Sequence, residues 1–152
     1  MTVAPVDARI PRSSLLLGFG PMLPLVAAGV GAWVLPGLWP FLAIQLAIAW
    51  AALILAFIGG VRRGFGFGSP RASTRAEFAA AAVYVGIAFV GLVMPRPSVG
   101  LSVLLVGYVL AALLDRRAAR AGDAPLHFVR LRPPQLLLGT AGLAGCWAWL
   151  LH

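Results

Sequence analysis

Long apolar segments alternate with short polar ones along the chain. A helix rises 1.5 Å per residue, so about 20 apolar residues are needed to cross the hydrocarbon core of a bilayer. Five segments meet or approach that length, and they lie at residues 15–35, 41–60, 77–94, 99–114 and 135–151. The pattern predicts an all-α fold, a multi-pass bundle of five transmembrane helices that forms one domain over residues 15–151. Residues 1–14 are predicted to be a cytoplasmic tail, and the first apolar segment is too long for the core of a typical signal peptide.

The composition agrees with this pattern. Hydrophobic residues make up 61% of the chain and charged residues 11%, against about a quarter charged in soluble domains. A soluble globular protein is therefore excluded. All twelve basic residues are arginine, which with the abundance of alanine, glycine and proline indicates a GC-rich bacterial genome. The net charge of +8 would suggest nucleic acid in a soluble protein, but basic loops also orient membrane proteins, so we expect no nucleic acid partner.

The arginines are distributed unevenly between the two sides of the predicted bundle. Eleven of the twelve fall in the N-terminal tail and in the segments after the second and fourth helices, which must share one side. The opposite side receives only Arg96. By the positive-inside rule, this bias predicts a protein of the bacterial inner membrane with its N-terminus inside and its C-terminus outside.

Local signals refine the predicted helices. Pro21 and Pro24 in the first segment predict a kink or an irregular turn. The glycine-rich, basic stretch Val61–Ala76 is predicted to be an aqueous loop, and Thr74 followed by Glu77 is a capping box that marks the start of the third helix. Its glycines resemble a phosphate-binding loop only weakly, because they follow a membrane helix and lack the full spacing and a lysine.

The polar segment Asp115–Pro134 is predicted to begin as an extension of the fourth helix, to stop near Gly122 and to continue as an amphiphilic piece. In that piece Arg130 and Arg132 interleave with apolar residues, so we expect it to lie on the membrane with its arginines toward lipid phosphates. The fifth helix is predicted to begin at Gln135.

The sequence offers little that chemistry could use. The four acids, Asp7, Glu77, Asp115 and Asp123, all fall at predicted helix ends or in polar segments, so we expect no buried acid pair or proton relay. His127 and His152 have no other ligand at metal-binding spacing, and Cys146 stands alone in an apolar run. We predict no catalytic residue, no cofactor and no metal site.

Small and polar residues within the spans have two interpretations. Small residues recur at a spacing of four and favour close helix packing over a wide pore: Ala28 and Ala32, Ala52, Ala56 and Gly60, Ala82 and Gly86, Ala141 and Gly145. The uncharged polar residues would either line a small pathway or form interhelical hydrogen bonds, the second being favoured, and they are Gln45, Tyr84, Ser102, Tyr108 and Thr140.

One group of charged residues is a candidate functional surface on the cytoplasmic face. It consists of Arg62, Arg63, Asp115, Arg116 and Arg132. The competing interpretation, which we favour, is that these arginines only set the topology.

Three stretches resemble the bacterial members of the domain of unknown function 3429 family, which is related to eukaryotic transmembrane protein 69. They are Pro11-Arg12 with Leu17–Pro24, then Ile54–Gly64 with its double glycine, and finally Asp115 with Gly122, Ala124-Pro125 and Leu131-Arg132. The resemblance implies a small multi-pass inner-membrane protein and does not imply an activity.

Three functions remain open. The first is a non-enzymatic accessory or scaffold protein, in contact with membrane lipids and with a membrane-protein partner or a second copy. The second is a transporter or channel for a small solute or a lipid. The third, ranked lowest, is an enzyme acting on lipid head groups through charged residues of the cytoplasmic face: Asp115, Arg116, Arg117, Asp123, His127 and Arg132.

Overall fold

A computed structural model describes residues 12–68, 74–121 and 128–152. Over these residues the chain is helical, with short turns and no strand. The helices are α1 (Arg12–Phe19), α2 (Leu23–Val34), α3 (Trp39–Gly68), α4 (Thr74–Val93), α5 (Pro97–Ala121) and α6 (Phe128–Leu151), with a 3₁₀ turn at Gly20–Met22 between α1 and α2. Predictions that concern Asp7, Arg71, Asp123 and His127 lie outside the described residues.

Five helical segments are long and apolar enough to cross a membrane. They are Ser14–Val34, Trp39–Gly64, Arg75–Val93, Pro97–Ala121 and Arg130–Leu151. The predicted all-α architecture with five candidate spans is therefore confirmed, whereas the side on which each terminus lies stays a prediction.

The first span is broken where its prolines predict. Pro21 and Pro24 lack backbone N–H groups, and the chain passes through the 3₁₀ turn before α2 begins at Leu23. The indole N–H of Trp50 on α3 donates to the carbonyl oxygen of Pro21 at 2.8 Å. A neighbouring helix thus supplies a hydrogen bond where the irregular backbone needs one.

The turn from α2 to α3 is tight. Leu35 is extended, and Gly37 has a φ of +63°, which only glycine adopts without strain. Helix α3 begins at Trp39, so Pro40 falls in its first turn, where a missing N–H costs no intrahelical bond.

Two predicted boundaries were wrong. Helix α3 continues to Gly68 and does not end at Gly60, and α6 begins at Phe128, with Pro133 and Pro134 inside it. A glycine in a helix costs about 1 kcal/mol and a proline about 3 kcal/mol, and contacts with other helices, such as those of Arg62 and Arg132 with Asp115, offset these local costs. The predicted loop beginning at Val61 is helical as far as Gly68.

The helices approach one another most closely at glycines. A Cβ atom on Gly29 of α2 would lie 2.6 Å from the carbonyl oxygen of Gly142 on α6, and one on Gly100 of α5 would lie 2.6 Å from that of Gly91 on α4. Such short separations allow backbone-to-backbone packing between membrane helices. Of the predicted small residues, Gly145 makes a close contact, with Gly29, whereas a Cβ atom on Gly60 or Gly86 would meet nothing within 4 Å. In α3 the close contact is made by Gly59, against Ala81.

Candidate functional site

A cluster of buried ionisable side chains lies where one end of each of four helices meets. It contains Arg62 of α3, Glu77 and Tyr84 of α4, Asp115 of α5 and Arg132 of α6, and we call it the buried ion cluster. Each of these residues is at most 6% exposed. Helices α3 to α6 alternate in direction, so the C-terminal parts of α3 and α5 lie beside the N-terminal parts of α4 and α6.

Asp115 is the centre of this cluster. Its Oδ1 atom accepts a hydrogen bond from the Tyr84 hydroxyl at 3.0 Å and lies 3.8 Å from Nη1 of Arg62. Its Oδ2 atom lies 3.4 Å from Nε of Arg132. One carboxylate thus contacts side chains from three other helices.

Arg62 joins the second acid to the first. Its Nε atom lies 2.9 Å from Oε2 of Glu77, and its Nη1 atom faces Asp115. With Arg132 included, the cluster holds two formal positive and two formal negative charges. Buried charges are costly unless they are paired, and this arrangement pairs them.

The expectation of no buried acid pair was therefore wrong. Glu77 is fully buried in the first turn of α4, and Asp115 is 2% exposed more than one turn before the end of α5. Sequence position alone suggested helix ends in water. In the structure, neighbouring helices extend past both acids and cover them.

The structure brings together three of the five residues proposed as a cytoplasmic-face surface. Arg62, Asp115 and Arg132 meet in the buried ion cluster, whereas Arg116 is exposed and Arg63 is half-buried, with its guanidinium carbon 5.8 Å from the ring centre of Phe78. The three form part of the core and not of a surface. Arg132 was expected to point toward lipid phosphates, but it pairs with Asp115. Arg130, for which the same was expected, is exposed.

The sequence interpretation missed Glu77 and Tyr84 as members of this cluster. Glu77 was assigned only to a helix cap, and Tyr84 was one of several polar residues within spans. The available signal was the hairpin itself: Arg62 precedes the end of α3 by six residues and Glu77 follows the start of α4 by three, so an antiparallel pair brings them to similar depth.

Three of the five polar residues predicted within the spans form hydrogen bonds between helices. Besides Tyr84, the hydroxyl of Tyr108 donates to the carbonyl oxygen of Ala51 at 3.3 Å, and the indole N–H of Trp147 donates to the Ser102 hydroxyl at 2.9 Å. Gln45 is exposed on α3. The interpretation as interhelical bonds is confirmed for Tyr84, Tyr108 and Ser102, whereas the Thr140 hydroxyl bonds within its own helix to Leu136.

A cleft of about 440 Å³ lies beside the buried ion cluster. It runs between α1 with the 3₁₀ turn, the middle of α3 and the beginning of α6, and we call it the α1–α3–α6 cleft. Its walls are mainly apolar, and Arg132 belongs both to its wall and to the buried ion cluster. The lining residues are Ser14, Leu17, Gly18, Pro21, Met22, Trp50, Leu53, Ile54, Phe57, Ile58, Val61, Leu131, Arg132 and Gln135.

This volume falls within the range of small-molecule sites, roughly 300 to 1,000 Å³. Within the described part of the chain, no group of three or more His, Cys, Asp or Glu side chains could hold a metal ion. The arrangement offers an apolar cavity with few polar groups and, next to it, a charge-balanced cluster.

The three stretches that carry the family resemblance converge on these two features. Leu17–Pro24 and Ile54–Gly64 form two walls of the cleft, and Leu131-Arg132 lies at its third wall. Arg62 and Asp115 come from the second and third stretches and meet Arg132 in the buried ion cluster. Segments far apart in the chain are thus brought to one place.

Comparison with known protein families gives a match to most of the chain. The family described as protein of unknown function (DUF3429) matches residues 10–135, so the matched region includes the whole buried ion cluster and ends early in α6. No curated protein and no solved structure shows significant similarity to the chain. Since the match covers most of the sequence, this chain belongs to the DUF3429 family of proteins of unknown function.

Proposed function

We propose that this protein is a non-enzymatic accessory or scaffold protein of the bacterial inner membrane, threaded with its N-terminus inside. On this proposal, the buried ion cluster has a structural role. It joins four helices, and each acid has an arginine partner: Arg62 for Glu77, and Arg62 and Arg132 for Asp115. Such a charge-balanced core would hold a rigid bundle against which another protein can pack.

The observation that carries the proposal is the outward face of α4. The span Arg75–Val93 is the least covered of the five, with 22% of it buried within the chain. Its small residues Ala82 and Gly86 are exposed, and a Cβ atom on Gly86 would meet nothing within 4 Å. By contrast, Gly145 of α6 packs against Gly29 inside the bundle.

Small residues at a spacing of four allow a second helix to approach closely in a membrane. Because no helix among the described residues lies on the outward face of α4 at Gly86, we propose that a helix of another membrane protein packs there. A second copy of this chain would use the same face.

The test is purification at native expression level in nanodiscs, with copurifying proteins identified by mass spectrometry. We expect a stoichiometric membrane-protein partner with the wild type, and its loss with Gly86→Leu. Gly60→Leu is the matched control, because a Cβ atom there also meets nothing within 4 Å. A protein isolated without a partner, or one whose partner is retained equally by both variants, would contradict the proposal.

A transporter of a small solute or lipid is the second candidate, and the α1–α3–α6 cleft favours it. The cleft adjoins the buried ion cluster through Arg132, and ionisable groups within membrane spans often mark transport pathways. Flux in proteoliposomes that is lost in Asp115→Asn, but not in Arg116→Gln, would support transport. Absence of flux for lipid probes and small ions would favour the scaffold.

A further inference from the structure

We propose that the α1–α3–α6 cleft binds one acyl chain of an anionic phospholipid, with the head group outside the end formed by Arg132 and Gln135, near the exposed Arg130, since the charge of Arg132 is paired with Asp115. This is a specific lipid site, and it does not depend on the scaffold function.

The cleft is polar at one end and apolar at the other. Arg132, Gln135 and Ser14 lie at the end where α1 and α6 begin, whereas Trp50 and Met22 lie further along toward the opposite end. On α3, the lining residues run from Trp50 to Val61, a stretch of twelve residues, or about 16 Å of helix. A lipid with its head group at the polar end and its acyl chain along α3 therefore matches the change of polarity along the cleft.

The rim of the cleft faces the hydrocarbon of the bilayer. Leu17, Leu53 and Phe57 line the cleft and are 76%, 63% and 69% exposed, and all three lie within candidate membrane spans. The molecules that contact such a rim in a membrane are lipids. An acyl chain can enter the cleft laterally from the bilayer. Once bound, it covers apolar wall area that less ordered annular lipids would otherwise contact.

The charge around the polar end selects an anionic head group. The two acids among the described residues, Glu77 and Asp115, are both buried. The arginines that are exposed at this end of the helices have no exposed acid among the described residues to offset them, and they are Arg75, Arg116, Arg117, Arg120 and Arg130. Basic residues beside a membrane surface attract anionic lipids, and a guanidinium group is well suited to phosphate.

Native mass spectrometry of the full chain tests the proposal. The protein is purified in detergent with an equimolar mixture of dioleoyl phosphatidylglycerol and dioleoyl phosphatidylcholine, which have identical chains. We expect one retained lipid per chain, with about a tenfold preference for phosphatidylglycerol, because both lipids carry the phosphate and only phosphatidylcholine adds a cationic group, which the exposed arginines repel.

Leu53→Trp fills the cleft from its exposed rim without disturbing the core, and it should lower lipid retention by about tenfold. Leu46→Trp is the matched control, because Leu46 is 62% exposed on the same helix and does not line the cleft. Arg130→Gln removes an exposed positive charge at the beginning of α6 and should reduce the preference for phosphatidylglycerol while leaving the wall of the cleft unchanged.

Equal retention of the two lipids by the wild type would overturn the proposal, and so would equal retention of phosphatidylglycerol by the two tryptophan variants. A third test places a photo-cross-linking residue at position 53. Capture of a peptide of this chain or of a partner in place of lipid would also overturn the proposal.

Discussion

The Nε atom of Arg62 lies 2.9 Å from Oε2 of Glu77, and both side chains are buried from solvent and from the outer face of the bundle. Removing one member of a buried ion pair leaves the other charge uncompensated, at a cost of about 3 to 5 kcal/mol. We therefore expect Glu77→Ala to lower the free energy of unfolding by roughly this amount.

Denaturant unfolding in mild detergent, followed by circular dichroism, measures the loss. Arg116→Gln is the control, since Arg116 is exposed and its substitution should change stability by less than about 0.5 kcal/mol. A Glu77→Ala protein as stable as the control would show that the pair does not hold α3 and α4 together.

The two buried tyrosines predict a graded effect. Tyr84 donates to the Asp115 carboxylate at 3.0 Å, and Tyr108 donates to the neutral carbonyl of Ala51 at 3.3 Å. Hydrogen bonds to charged groups contribute about 1.5 to 3 kcal/mol and neutral ones about 1 kcal/mol. Tyr84→Phe should therefore destabilise the protein more than Tyr108→Phe in the same unfolding experiment. The reverse order would contradict the central place of Asp115.

Two glycines should respond in opposite directions to a side chain. Gly29→Val places carbon within the contact with the Gly142 backbone and should cost about 1 to 3 kcal/mol, because neither backbone can move aside cheaply. Gly60→Ala adds a methyl group to an open helical position and should gain up to about 1 kcal/mol. Thermal unfolding monitored by size-exclusion chromatography compares the two. Equal tolerance of both changes would argue against the close crossing of α2 and α6.

The threading is tested by cysteine labelling in intact cells and in disrupted membranes. Leu38 lies in the α2–α3 turn and is 81% exposed, and Arg116 is exposed near the other end of the bundle. With the N-terminus inside, Leu38→Cys should react with a membrane-impermeant maleimide in intact cells, and Arg116→Cys only after disruption. Cys146 is fully buried and should give little background. The opposite labelling pattern would reverse the proposed orientation.

Hydropathy was enough to predict the five candidate spans and their helical class, because the length of an apolar segment is a local property. The pairing of charged residues from different helices is not a local property of the sequence. Arg62 and Asp115 are separated by 53 positions, and nothing near either residue shows that α4 and α6 will close over them. The capping interpretation of Glu77 placed the residue at the start of α4 and gave no indication of its contact with Arg62.

The boundary errors have the same origin. The run of glycines after Val61 and the proline pair before Gln135 are local signals against a helix, and local signals of this size are overridden when a segment packs against neighbours. The α1–α3–α6 cleft could not be predicted at all. It exists because α1 lies beside α3 and α6, an arrangement that hydropathy does not specify.

The charges of the buried ion cluster are balanced only late in the synthesis of the chain. Arg62, Glu77 and Asp115 are made before Arg132, and together the first three carry one excess negative charge in a site that excludes water. Neutrality is reached only when the beginning of α6 arrives and Arg132 pairs with Asp115. A chain halted after α5 would therefore hold an unbalanced charge in its core, so the last helix completes the electrostatics of helices that were inserted long before it.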